Sequence, residues 1–90
     1  MHIVRTLMRA APEAATTVQG SHVLLDLLWA HATPGDGVEH IAVRSVPHGM
    51  EATFFLTAVS DEAAVGCARA LLLRARAPIA THGLTALPLP

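Results

Sequence analysis

Residues 38–59, VEHIAVRSVPHGMEATFFLTAV, decide the fold of this chain. Alternation of side chains along an extended backbone predicts two strands here, Val38 to Val46 and Met50 to Val59. Pro47-His48-Gly49 supplies the reversal between them, because Pro presets φ and Gly tolerates conformations closed to other residues. In the first strand Val38, His40, Ala42, Arg44 and Val46 fall on one side, and Glu39, Ile41, Val43 and Ser45 on the other. In the second, Met50, Ala52, Phe54, Leu56 and Ala58 form an unbroken apolar face directed at helices. Glu51, Thr53, Phe55, Thr57 and Val59 point away from it.

A capped helix follows. Ser60 is an N-cap residue, Asp61 and Glu62 occupy the first turn, and Arg69, Arg74 and Arg76 lie toward the end, all favourable to the helix dipole. Ala64, Val65, Ala68, Leu71, Leu72 and Ala75 share one face, and Pro78 is expected to stop the helix. Leu73 falls on the opposite, exposed side. Upstream, His2 to Arg9 reads as a strand and Ala11 to Gly20 as an irregular or partly helical lead-in. Ser21 is placed as the cap of a helix from His22 to about Ala32, ended by Thr33-Pro34-Gly35-Asp36-Gly37. Its polar side is narrow, with His22, Asp26 and Ala30. The wide apolar remainder predicts contact with a second surface besides a sheet. A short fourth strand is expected within His82 to Leu87, limited by Pro88 and Pro90.

The resulting order, β-α-β-β-α-β, resembles ferredoxin-like folds: an α+β two-layer sandwich with an antiparallel sheet and two helices on one face, in one domain spanning residues 1–90. The first and third strands of that layout are central and the second lies beside the third. The scaffold hosts unrelated functions, so the likeness is one of layout. ACT-type amino-acid-sensing domains carry a D-x-P-G-type loop after the first strand. Here Arg9-Ala10-Ala11-Pro12-Glu13 has the Pro but neither the acid before it nor the Gly after it. Dimeric α/β-barrel enzymes line their cavities with aromatics, whereas this chain has only Phe54, Phe55 and Trp29.

Composition bears on association. Apolar residues make up 52% of the 90 and charged residues 14%, with mean hydropathy +0.47, against about 45–50% and about 25% in ordinary globular domains. A chain this short buries only about 60% of its unfolded surface. The apolar surplus therefore predicts a homodimer interface. Six arginines, no lysine and a net charge of −1 argue against nucleic-acid binding, which relies on a basic footprint. The apolar runs are too short or interrupted for a membrane span, and Arg5 and Arg9 break any signal-peptide pattern. The lone Cys67 rules out a disulfide framework and fits a reducing cytoplasm.

Several residues bear on chemistry. His22 and Asp26, four apart on one helix, could share a metal, but a third ligand is not fixed by spacing, and a surface pair is the plainer reading. The six histidines are scattered, although His40 and His2 on neighbouring strands could converge. Cys67 sits two turns into its helix, away from the N-terminus that would lower its pKa, and reads as a packed thiol. The non-helix face of the sheet is the candidate site: His40, Arg44, Glu51, Thr53, Phe55 and Thr57, joined by Arg5 or by His2 and Thr6 according to the first strand's register. It reads as a small-molecule cleft, with Arg44 holding an anion and Phe55 giving apolar contact, or as a sheet-to-sheet dimer interface. In the latter, Phe55, Val59, Val38 and Val46 are anchors and Arg44 pairs with Glu51. The leading expectation is a non-enzymatic homodimeric module, without cofactor, that binds a small ligand or a partner protein in a biosynthetic or regulatory system. The alternative is a cofactor-independent dimeric-barrel isomerase or cyclase using His40 as acid or base and Arg44 to hold substrate charge.

Overall fold

The computed structural model describes residues 1–11 and 18–89. It is an α+β protein whose four strands form one antiparallel sheet covered on one face by three helices. The elements run β1 (His2–Ala10), α1 (Val18–His31), β2 (Val38–Val46), β3 (Gly49–Leu56), α2 (Asp61–Arg74), α3 (Arg76–Thr81) and β4 (Leu84–Ala86). The strand order is β2-β3-β1-β4, so β1 and β3 are central. Most of the expected lead-in falls on residues 12–17, outside those described.

Alternation builds the core. Val4, Thr6 and Met8 of β1, Met50, Ala52, Phe54 and Leu56 of β3, and Ile41 of β2 are buried on the helix side. They meet Leu24 and Leu28 of α1, Ala64, Ala68, Leu71 and Leu72 of α2, Ala75, and Ile79 of α3. The small alanines let α2 lie close to the sheet, while Leu71, Phe54 and Met8 fill the remaining volume. Gly49 sits at a close strand approach: a Cβ there would stand 1.9 Å from the Met8 carbonyl oxygen.

Five expectations need correction. First, α1 begins at Val18, and Ser21 is a buried residue inside it rather than its cap. The helix takes in Gly20 despite its low helix propensity. The wide apolar arc is partly used, since α1 packs on β2 and also meets α2 and α3, while Val23 and Trp29 stay exposed.

Second, β3 stops at Leu56, and just beyond it the Thr57 N–H donates to the Gly37 carbonyl at 2.8 Å. Gly37 has φ +68°, and a Cβ on it would lie 2.5 Å from the Thr57 oxygen. Val59, an expected anchor, is therefore off the sheet and exposed. Third, a bulge between Val38 and His40 sets Val38 opposite Leu56 and His40 opposite Phe55. One extra residue reverses the phase of the strand, so Val38 packs against the core and does not share a face with His40.

Fourth, Pro78 does not end α2. The helix breaks at Ala75, and Pro78 lies in the first turn of α3, where a missing N–H costs no intrahelical bond. Among the described residues the α-helices thus number three rather than two. Fifth, His2 and His40 do not converge: β3 separates their strands, and His2 bonds Asp61 at 2.5 Å beside α2.

The α2 cap is as read: the Ala63 N–H donates to the Ser60 hydroxyl at 3.1 Å. At its other end Arg74 ties α2 to the α1 exit. Its Nε and Nη2 donate to the His31 carbonyl at 3.2 and 3.1 Å, and Nη2 also donates to the Asp36 carboxylate. Asp36 is buried and accepts as well from the Thr33 N–H at 2.7 Å and its hydroxyl at 3.1 Å. A cation here meets both a buried carboxylate and the negative end of α1.

Candidate functional site

The uncovered face of the sheet is arranged in rows across three strands. His40, Phe55 and Ile3 form one row; Ala42, Thr53 and Arg5 the next; Arg44, Glu51 and Leu7 the third. The pairing of β1 with β3 selects the register in which Arg5, rather than His2 and Thr6, joins this face. Thr6 instead points under the helices, buried, and its hydroxyl has no hydrogen-bond partner. Thr57 lies one residue beyond β3, where its hydroxyl donates to Glu39 at 2.7 Å.

Arg5, Ala42, Arg44, Glu51, Thr53 and Phe55 line a shallow groove of about 510 Å³. Along one wall Arg44 Nε donates to Glu51 Oε1 at 2.9 Å. That pair neutralises the guanidinium that the sequence singles out as an anion holder. Arg5, on the central strand β1, has no carboxylate partner among the described residues. At one end the His40 and Phe55 rings meet at a centroid distance of 5.4 Å, tilted by 48°. Ile3 and Leu7 flank Arg5 and are about half exposed, at 55% and 44%.

His22 and Asp26 both lie exposed on α1. Among the described residues no group of three or more His, Cys, Asp or Glu side chains could hold a metal ion. Cys67 is a free, partly buried thiol packed against the core. No described helix is long and apolar enough to cross a membrane.

A second concavity, of about 610 Å³, lies at the opposite sheet edge between α2, α3 and the segment after β4. Sequence reading missed it. Its signal was the spacing of Arg69 and Arg76 around Leu72 and Leu73, which becomes meaningful only once α3 turns back toward β4. No family model, curated protein or solved structure matches this chain.

Proposed function

We propose that the chain is a non-enzymatic, ferredoxin-like homodimeric module whose uncovered sheet face is both its dimer interface and the floor of a small-anion site. The strand order β2-β3-β1-β4, with α1 between β1 and β2 and the broken pair α2 and α3 between β3 and β4, supports the ferredoxin-like reading. The observation that carries the function is Arg5, lacking a carboxylate partner among the described residues and flanked by exposed Ile3 and Leu7 beside Phe55. Antiparallel sheets usually turn polar side chains to water on an open face. This one sets apolar Ile3 and Leu7 beside Arg5 and Arg9, neither of which has a carboxylate partner among the described residues, which fits a second copy packed over it with an anion enclosed between the two.

Binding is favoured over acid–base chemistry by two contacts. Arg44 is engaged by Glu51, and His40 lies against Phe55. Sedimentation analysis across micromolar concentrations tests the reading. The wild-type chain is expected at twice its 9.4 kDa mass, and Phe55→Asp at the monomer mass with an unchanged circular dichroism spectrum. A wild-type chain that stays monomeric throughout that range overturns it.

A further inference from the structure

We propose that the cleft between α2, α3 and the segment following β4 binds a small amphipathic anion: an alkyl chain ending in a carboxylate or a group of like charge. The cleft's volume, about 610 Å³, lies within the range of about 300–1,000 Å³ usual for small-molecule sites. Leu72, Ile79 and Leu84 form its floor, each less than a tenth exposed. Leu87 closes one side and is held there by its backbone N–H, which donates to the Leu7 carbonyl at 2.9 Å. An apolar ligand body is thus met on several sides by aliphatic carbon.

The polar groups of the lining give the ligand its charge. Arg69, on α2, and Arg76, the first residue of α3, are both exposed at the cleft, and neither has an ion-pair partner among the described residues. Among the described residues no aspartate or glutamate lines the cleft. Two like charges beside low-dielectric walls focus a field of one sign, and a guanidinium fork matches a carboxylate in geometry as well as charge. Leu73, two-thirds exposed on α2, adjoins this rim and gains a role as its apolar lip. The site shares no lining residue with the sheet-face groove, so the two assignments stand or fall separately.

Isothermal titration calorimetry of the full chain with decanoate and with decyltrimethylammonium tests the charge requirement, and amide chemical-shift mapping tests the location. Decanoate is expected to bind saturably in the micromolar range, with the cationic probe weaker by at least about tenfold. Shifts should concentrate on residues 84–89 and on α3. Joint replacement Arg69→Gln and Arg76→Gln should weaken decanoate by at least about tenfold and leave the thermal midpoint unchanged. Ala80→Trp, which fills the cleft from an exposed position, should abolish binding. Equal affinity for the two probes, absence of saturable decanoate binding, or shifts centred on Arg5, Thr53 and Phe55 would each overturn the proposal.

Discussion

Along β1, Val4, Thr6 and Met8 go under the helices while Ile3, Arg5, Leu7 and Arg9 face outward from the same nine-residue strand. The pattern repeats on β3, where Phe54 is fully buried and its neighbour Phe55 only partly so. What separates the faces is what covers them: three helices on one side, and on the other no element among the described residues. The buried side is specified by volume and leaves little freedom. The other side mixes Ile3 and Leu7 with an Arg44–Glu51 pair and with Arg5, which has no ion-pair partner among the described residues, a surface whose energetics depend on what is laid over it.

The largest effects therefore belong to the covered face. Phe54→Ala should destabilise the fold by about 3–5 kcal/mol, through lost transfer energy and the cavity left behind. Phe55→Ala, one residue along, should cost the isolated fold far less and should act mainly on association. Chemical denaturation of both variants at a protein concentration low enough to dissociate a dimer makes the comparison. Comparable losses would mean that the two faces are equally buried in the monomer.

Next in size is the clamp at the edge of the covered face. Arg74→Met removes the cation from buried Asp36, leaving the carboxylate only Thr33 as a donor. Breaking a buried pair from one side costs about 3–5 kcal/mol, and the partial exposure of Arg74 lowers the expectation to about 2–3 kcal/mol. Adding Asp36→Asn should restore part of the loss in urea denaturation, because the uncompensated charge disappears. A double variant no more stable than Arg74→Met would show that packing by the Arg stem, rather than charge, is what matters there.

A smaller effect of opposite sign is expected at Thr6. Its hydroxyl is buried under the helices with no partner, so Thr6→Val removes an unsatisfied polar group at nearly constant shape. Stabilisation of about 1 kcal/mol is expected, read as a rise in the thermal midpoint. A fall in that midpoint would show that the hydroxyl is satisfied in solution.

How much of this was legible in sequence follows the same division between the faces. The apolar run Met50, Ala52, Phe54, Leu56 and the Ser60 cap could be read directly, because periodicity and capping are local. Val38 was misassigned because a bulge is set by how β2 meets β3, and no residue type in VEH announces it. The register that selects Arg5 over Thr6 was likewise a tertiary choice. Pro78 misled for a different reason: proline stops a helix from within but is compatible with the first turn of the next, and the break at Ala75 supplied that turn. Alternation finds the candidate face, whereas the place of Arg5 on it and the α2–α3 cleft needed the strands and helices to be in place.

The smallest expected effect gives the finest test of the two faces. Arg44 and Glu51 are directly opposed on β2 and β3, with Arg44 largely exposed, so a double-mutant cycle with Arg44→Gln and Glu51→Gln should give a coupling below about 1 kcal/mol in a monomer. Carried out in the Phe55→Asp background, that small value is expected, and it should shrink as salt is added. In the wild-type background a second sheet laid over the pair would remove water from it. The coupling should then rise and lose most of its salt dependence, since buried charges are screened less. Equal couplings in the two backgrounds would place Arg44 and Glu51 outside any interface and confine the covered part of that face to the rows holding Arg5 and Ile3.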